Sequence, residues 1–307
     1  MAPPAFRPVT DRAREEGQMR YAVSNWIYGT EPLSDQFARL ARFGYQGIEL
    51  VGEPDRYSVA DVRALSRKFH IPVTSILSWC LAGIAGRDPA SPDLEERRKA
   101  LEYGKKCVDL ANALEAPILV VLPGPAGRTA PTGAPKDEQA WLEGYQREWD
   151  LAVDSLRQLA SHAKARGVVL GLEPINRYET FLVNNLDQAL EFIVQVDSDQ
   201  LRLHLDTFHM NLEEADISET IRRAGARLVN LHVSDSNRQA PGLGHFDFTG
   251  LIRALKAIDY TGCLTLEPVP PGSDPVLMSG MSKNLALRDV FAQKGIQHLQ
   301  RIEASLQ

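Results

Sequence analysis

Eight short apolar runs alternate with longer helix-like stretches along this chain, and that alternation constrains the fold more than any other feature. Each run has the length of a β-strand and is rich in Val, Ile and Leu. In chain order the runs are MRYAVSNW from Met19, YQGIELV from Tyr45, IPVTSIL from Ile71, APILVVLP from Ala116, GVVLGLEP from Gly167, LRLHLD from Leu201, LVNLHVSD from Leu228 and GCLTLEP from Gly262.

The stretches between the runs carry the start and stop signals of helices. Ser58 and the pair Ser91-Pro92 are typical of helix starts, because a serine hydroxyl caps free backbone N–H groups and proline suits the first turn. Gly44 and Gly167 are typical of helix ends, where the backbone adopts a left-handed conformation. We therefore expect a helix between each pair of strands.

Strands that alternate with helices predict a parallel sheet, because parallel neighbours need long crossover connections. At 307 residues we expect this sheet to close into a single (β/α)₈ TIM barrel over residues 19–307, preceded by a tail over residues 1–18. The alternative is an open doubly wound sheet, but no GxGxxG motif follows the first run.

Composition limits the classes of partner. The formal net charge of -6 argues against binding to nucleic acid or to an anionic membrane surface. The three cysteines form no CxxC motif, and no apolar run is long enough to cross a membrane. The first residues lack the apolar centre of a signal peptide. We therefore expect a cytoplasmic protein with no nucleic-acid or membrane partner.

The last four runs each end in a side chain that binds metals well. In a TIM barrel, catalytic groups come from the C-terminal ends of the strands. Because neighbours along a strand face opposite sides, these four side chains should point into the barrel, away from their leucine neighbours. The four residues are Glu173, Asp206, His232 and Glu267.

Three carboxylates and an imidazole that converge in a barrel mouth would remain uncompensated without a cation. An oxygen-rich set of this kind favours Mn²⁺ first, with Mg²⁺ or Co²⁺ as alternatives. His204, Asn230 and Thr265 share the inward face, so we expect them to orient the ligands. The competing interpretation is four unrelated salt bridges.

These strand ends also carry family motifs. LEPINRYET at Leu172, LHLDTFHMN at Leu203, LHVSDSNRQAPGLGHFDF at Leu231 and LTLEP at Leu264 closely resemble the xylose-isomerase-like sugar phosphate isomerase/epimerase superfamily. Within it, the chain looks most like the D-tagatose and D-psicose (allulose) ketose 3-epimerases. The resemblance covers essentially the whole predicted barrel and is strongest in its second half.

The resemblance implies a small sugar substrate and a role for each matching residue. The positions matching Glu173, Asp206, His232 and Glu267 bind one divalent metal, and Glu173 and Glu267 also act as the acid/base pair. A second set of matching positions holds the carbonyl end of the sugar. That set is Glu179, His209 and Arg238. Dimers are common in the family, so a homodimer is one expected assembly.

Several activities share such a site and stay open at this point. A 1,2-aldose–ketose isomerase, a hydroxypyruvate isomerase and a keto-inositol dehydratase all begin by abstracting a proton beside a carbonyl. An endonuclease IV-like nuclease needs extra metal-binding histidines, and the first four runs contain none. A non-catalytic subunit would not be expected to keep the acid/base positions.

Glu49 could contact substrate or form a salt bridge, and we interpret Trp26 and Trp79 as packing at the rim.

Overall fold

The computed structural model describes residues 18–133, 136–272, 274, 278 and 280–306. The predicted tail over residues 1–18 lies outside these residues except for Gln18, so its structure and the proposed domain boundary stay predictions. No helix in these ranges combines the length and the hydropathy that a membrane span requires.

Eight parallel strands close into one barrel in sequence order, which confirms the predicted TIM barrel. Each strand pairs with its neighbours in the chain, and the first strand pairs with the last. The strands are β1 Arg20–Ser24, β2 Gly47–Gly52, β3 Val73–Ser78, β4 Ile118–Val121, β5 Val169–Leu172, β6 Leu201–Asp206, β7 Leu228–Val233 and β8 Cys263–Leu266.

Helices surround the barrel, and one of them was not predicted. In the described ranges they are α1 Leu33–Phe43, α2 Val59–Phe69, α3 Leu94–Ala113, α4 Glu138–Arg166, α5 Leu186–Val196, α6 Thr207–Glu213, α7 Ile217–Ala224, α8 Phe248–Ala257 and α9 Leu285–Ser305. The unpredicted helix is α6, which follows β6 directly. The carboxylate of Asp206 accepts the N–H of Phe208 and so caps its first turn.

The predicted helix signals are confirmed with one change. Gly44 and Gly167 end their helices in the left-handed region, with φ of 81° and 69°. Ser58 caps α2. However, α3 begins after Asp93 and not after Ser91, because the Asp93 carboxylate accepts the N–H groups of Glu95 and Glu96.

The strands divide their side chains between two apolar layers. The outward leucines, such as Leu170 and Leu203, pack in the large core between strands and helices. A small inner layer fills the barrel below its mouth, and it consists of Leu77, Ile118, Val120 and Val229.

Strict alternation along β7 predicts Val229 on the outer face with Leu231 and Val233, and the structure shows that this prediction is wrong. The pairing of β6 with β7 jumps from Leu203–Leu228 to His204–Asn230, so Val229 is an extra residue in a β-bulge. The bulge lets Val229 join the inner layer.

The loops that follow β3, β4 and β5 pair with one another above the barrel. Ala126 N–H donates to the Cys80 carbonyl (3.0 Å), and Ala82 N–H donates to the Ala126 carbonyl (2.8 Å). Gly127 N–H then donates to the carbonyl of Glu179 (2.7 Å). We call these pairings, with the bridges Leu81–Ala126 and Arg128–Thr180, the loop ladder. It forms one side of the barrel mouth.

Candidate active site

A cavity of about 130 Å³ opens at the C-terminal mouth of the barrel. It brings together six of the seven predicted site residues, which are Glu173, Glu179, His209, His232, Arg238 and Glu267. Its remaining lining is mostly apolar and comprises Trp26, Leu77, Ser78, Trp79, Cys80, Leu81, Leu122, Ala126 and Ile175. The seventh predicted residue, Asp206, is buried beside Arg238 and His209.

His232 stands between the two glutamates predicted to act as acid and base. Its Nδ1 atom lies 3.4 Å from Glu173 Oε1 and 3.2 Å from Glu267 Oε2. Its Nε2 atom lies 2.9 Å from Glu49 Oε1. With Nε2 donating to Glu49, a metal bound at Nδ1 would take the place of the second ring proton and keep the imidazole neutral. A carboxylate behind a histidine is a common device for presenting the other ring nitrogen to a metal.

Glu49 is the important residue whose role the sequence left open. It is completely buried and accepts hydrogen bonds from Ser75 Oγ (2.7 Å) and Asn230 Nδ2 (3.4 Å). Burial acts to raise the pKa of Glu49, but the charge and hydrogen bond of His232 and the hydroxyls of Ser24 and Ser75 outweigh it and lower the pKa. Glu49 therefore serves as an ionised support for His232 and is absent from the cavity lining.

The predicted orienting residues act at different distances from the ligands. Asn230 acts on His232 indirectly, because it donates a hydrogen bond to Glu49, which contacts His232. Thr265 is more remote still, because its hydroxyl donates to Asn230 Oδ1 (3.3 Å). His204 lies closer, with Nε2 3.7 Å from Glu173 Oε1.

Arg238 bridges two of the predicted metal ligands. Its Nη1 donates to Asp206 Oδ2 (2.9 Å), and its Nη2 donates to Glu267 Oε2 (3.2 Å). Burial acts to raise the pKa of Asp206, but the charge of Arg238 outweighs it and holds the pKa below its usual value. For Glu267, burial dominates over the charges of His232 and Arg238 and raises the pKa to about 7.

Asn176 holds the other two predicted sugar-binding residues together, and the sequence analysis missed it. Its Nδ2 donates to Glu179 Oε1 (2.9 Å) and lies 2.8 Å from His209 Nδ1. His209 in turn places Nε2 3.6 Å from Asp206 Oδ2. The position of Asn176 within the LEPINRYET motif was the available signal.

Trp26 does more than pack at the rim. Its indole N–H donates to Glu267 Oε1 at 2.6 Å. Its ring also lies against Trp79, with centroids 6.1 Å apart. The interpretation of Trp26 as packing alone is therefore incomplete, because it fixes one oxygen of a predicted acid/base residue.

The donor set fits a divalent cation. Within the described ranges, three groups of three donors place their ligand atoms within 4.8 Å of one another. The groups are Glu173–His204–His232, Glu49–His232–Glu267 and Glu173–Asp206–His209. Each contains two of the four predicted ligands, so the joining of all four in one coordination sphere stays a prediction. The buried Nδ1 of His232 has no hydrogen-bond partner among these residues, as expected of an atom positioned for a metal.

The closed parallel barrel and the side chains at its C-terminal end are typical of one class of protein. The model of the xylose isomerase-like TIM barrel family matches residues 37–286, and the chain belongs to that family.

Two proteins similar to this chain are named epimerases. The chain is 41% identical over 117 residues to a D-psicose 3-epimerase of Enterocloster bolteae, a match over 38% of this chain and 39% of that relative. The chain thus spans about two fifths of that relative's length. A match of 28% identity over 263 residues to the 3-dehydro-D-guloside 4-epimerase of Escherichia coli covers 84% of this chain and 95% of the relative.

A solved structure extends the similarity over nearly the whole chain. The D-allulose 3-epimerase from Methylomonas sp., solved in complex with D-allulose, superposes with a TM-score of 0.75 at 27% identity. The superposition covers 92% of this chain and 97% of that one.

Proposed function

We propose that this protein is a divalent-metal-dependent ketose 3-epimerase, in which Glu173 and Glu267 exchange protons with the sugar. The observation that carries the proposal is the approach of both carboxylates to one imidazole nitrogen. Glu173 Oε1 and Glu267 Oε2 lie 3.4 Å and 3.2 Å from His232 Nδ1, and they come from different strand ends at the cavity.

Epimerisation beside a ketone needs a base on each face of the sugar ring or chain. One carboxylate removes the proton from carbon 3, and the other returns a proton to the opposite face. Glu173 follows β5 and Glu267 follows β8, so they approach the cavity from separate strands. Either glutamate can serve as the base, with the other as the acid, so the reaction runs in both directions.

The metal would supply Lewis-acid stabilisation of the enediolate oxygens. Glu173, Asp206, His232 and Glu267 would hold it, with Glu49 fixing the His232 ring. We propose Mn²⁺ because the set joins three carboxylates to an imidazole, and Mg²⁺ and Co²⁺ are the alternatives.

The remaining polar groups of the cavity suit the carbonyl end of a small sugar. Arg238 is charged at any accessible pH and offers several N–H donors, which suits a carbonyl or enediolate oxygen. Glu179 and His209 line the same cavity and are joined by Asn176. Together they can bind hydroxyl groups beside the reacting carbon.

A second candidate is epimerisation at carbon 4 of a 3-keto sugar. The similarity to the Escherichia coli 3-dehydro-D-guloside 4-epimerase favours it, and its match covers most of both chains. The chemistry is the same, because the carbon that inverts again lies next to a ketone.

Turnover in D₂O tests the proposal. The full chain with Mn²⁺ would be offered free ketoses, 3-keto sugars, hydroxypyruvate and a keto-inositol, with 1,2-aldose products monitored as well. We expect a free ketose to invert at carbon 3 and to carry solvent deuterium there, because the abstracted proton is not passed between the two glutamates. Product without deuterium would exclude the two-base mechanism. Turnover of a 3-keto sugar alone would favour the second candidate.

A further inference from the structure

Asn176 is a buried amide in the loop after β5, and its neighbours fix its orientation. The side-chain oxygen accepts the backbone N–H of Tyr178 (3.0 Å), and the side-chain nitrogen donates to Glu179 Oε1 (2.9 Å). A backbone N–H only donates and a carboxylate only accepts, so exchanging the oxygen and nitrogen of the amide would break both hydrogen bonds. The NH₂ group of Asn176 therefore has a defined position.

The same NH₂ group contacts the ring of His209. Its nitrogen lies 2.8 Å from His209 Nδ1, and the backbone N–H of Asn176 donates to that same Nδ1 atom at 3.4 Å. Both groups of Asn176 are donors, so a proton on Nδ1 would point at other protons. In an imidazole that carries one proton, the proton then belongs on Nε2. The contacts of Asn176 thus select one tautomer of His209.

We infer that Asn176 is a positioning residue, which holds His209 as an Nε2–H hydrogen-bond donor for an oxygen of the substrate. His209 lines the cavity, and its Nε2 atom lies 3.6 Å from Asp206 Oδ2, which is too long for a hydrogen bond. The inference rests on the proposed function for the identity of the oxygen, which is the carbonyl or enediolate oxygen of a keto sugar. Such an oxygen accepts hydrogen bonds, so a fixed donor suits it.

The same tautomer keeps His209 out of the metal centre. Glu173, Asp206 and His209 form one of the three donor groups whose ligand atoms lie within 4.8 Å of one another. A ring nitrogen binds a metal through its lone pair, and here the lone pair of Nδ1 accepts from Asn176 while Nε2 carries the proton. His209 therefore serves the substrate and takes no coordination position that the oxygens of the sugar would need.

Nitrogen NMR tests the tautomer, because protonated and unprotonated ring nitrogens resonate far apart. The full chain would carry ¹⁵N-labelled histidine and diamagnetic Mg²⁺, and the signals of His209 would be those lost in His209→Gln. We expect a protonated Nε2 and an unprotonated Nδ1 in the wild-type protein. In Asn176→Asp a carboxylate oxygen replaces the NH₂ group opposite Nδ1, so Nδ1 should gain a proton.

Asn185→Asp is the matched control, because it makes the same substitution in the same loop. Asn185 caps α5 by accepting the N–H of Gln188 (3.0 Å), and aspartate caps helices equally well, so the wild-type tautomer should persist. A proton on Nδ1 in the wild-type protein, or an unprotonated Nδ1 in Asn176→Asp, would overturn the inference and leave the proposed function intact. The wild-type spectrum stands even if Asn176→Asp folds poorly.

Kinetics of two amide variants compare the two ring nitrogens directly. The amide of glutamine reaches roughly the position of Nε2, whereas that of asparagine reaches roughly the position of Nδ1. We expect kcat/KM to fall about 10–100-fold in His209→Asn, which loses the donor to the substrate, and less than about tenfold in His209→Gln. A larger loss in His209→Gln would contradict the inference. An Nε2–H tautomer in a wild-type protein that turns over none of the sugars would contradict the proposed function alone.

Discussion

The two halves of the barrel contribute different things to the same cavity. The loops and strand ends of β1–β4 supply Trp26, Leu77, Ser78, Trp79, Cys80, Leu81, Leu122 and Ala126, which form a mostly apolar wall. Those of β5–β8 supply Glu173, Ile175, Glu179, His209, His232, Arg238 and Glu267, which include every ionisable group that lines it apart from Cys80. One half therefore shapes the cavity, and the other carries its charges.

The division is not complete, because residues from the β1–β4 half also support charged residues from the β5–β8 half. Glu49 on β2 fixes His232 on β7 across the barrel interior, and Trp26 after β1 donates to Glu267 after β8. A closed barrel makes such contacts possible, since residues far apart in the chain meet inside it. Substitutions in the two halves should therefore distinguish effects on catalysis, effects on metal binding and effects on the shape of the cavity.

The largest effect should follow from removing either of the two carboxylates proposed as acid and base. Glu173→Gln and Glu267→Gln keep the size of the side chain and one ligand oxygen but remove the base. We expect kcat to fall by about two to four orders of magnitude in each. Glu115→Gln, an exposed carboxylate paired with Arg63, is the control and should keep wild-type kcat. Near-normal turnover by either active-site variant with bound metal would contradict the assignment.

The next effect concerns Arg238, the arginine proposed to bind the sugar. Arg238→Ala removes the donors that now reach Asp206 and Glu267. A hydrogen bond to a charged group contributes about 1.5–3 kcal/mol, so we expect kcat/KM to fall about 10–100-fold, with KM raised. Metal content, measured by atomic absorption, should persist. Unchanged steady-state kinetics on the true substrate would refute the role.

Glu49→Gln tests whether a residue of the β1–β4 half affects the affinity of the site for metal. Glutamine keeps the shape but weakens the acceptor that holds His232 Nε2 at 2.9 Å. We expect the Kd for Mn²⁺, measured by calorimetry, to rise about 10–100-fold. Glu53→Gln is the matched control four residues along, because Glu53 pairs with Arg87 and does not line the cavity. If Glu49→Gln and Glu53→Gln bound Mn²⁺ with equal affinity, the proposed support of His232 by Glu49 would be wrong.

The two tryptophans at the rim provide a sharper comparison. Trp26→Phe loses the N–H that donates to Glu267 Oε1, whereas Trp79→Phe mainly reduces packing against Trp26. We expect kcat/KM to fall about tenfold for Trp26→Phe and by less than about threefold for Trp79→Phe, since a bond to a carboxylate contributes at least about 1.5 kcal/mol. The reverse order would show that rim packing outweighs the hydrogen bond.

The smallest effect should be a pH dependence in the loop after β7. Burial acts to raise the pKa of Asp235, but backbone N–H donors, including those of Phe246, Ser236 and Gly242, outweigh it and lower the pKa. A lowered pKa contributes stability above the unfolded value of about 3.9, and that contribution disappears as pH falls through the folded value. The Tm advantage of wild type over Asp235→Asn should thus narrow below about pH 4 and stay constant above about pH 6. A constant difference at all pH values would contradict this.

The sequence predicted the strand ends because alternation along a strand is a local property. It therefore identified which strand-end residues face inward, and three of the four, Glu173, His232 and Glu267, line the cavity. Glu179, His209 and Arg238, which also line it, were assigned only through the family resemblance. It did not predict the bulge at Val229, because register depends on the neighbouring strand. Nor could it assign Glu49 to His232, which lies 183 residues away, since alternation does not say which inward residues meet across the barrel.

The loop ladder has a consequence for how substrate range can change. Its rungs are main-chain hydrogen bonds, such as that from Gly127 N–H to the Glu179 carbonyl, and these do not depend on which side chains the loops carry. Replacing a single residue in these loops should change the volume of the cavity only slightly. Adding or deleting loop residues should instead move one side of the cavity relative to Glu179. The lengths of the loops after β3 and β4 should therefore influence the proposed substrate range alongside the side chains that line the cavity.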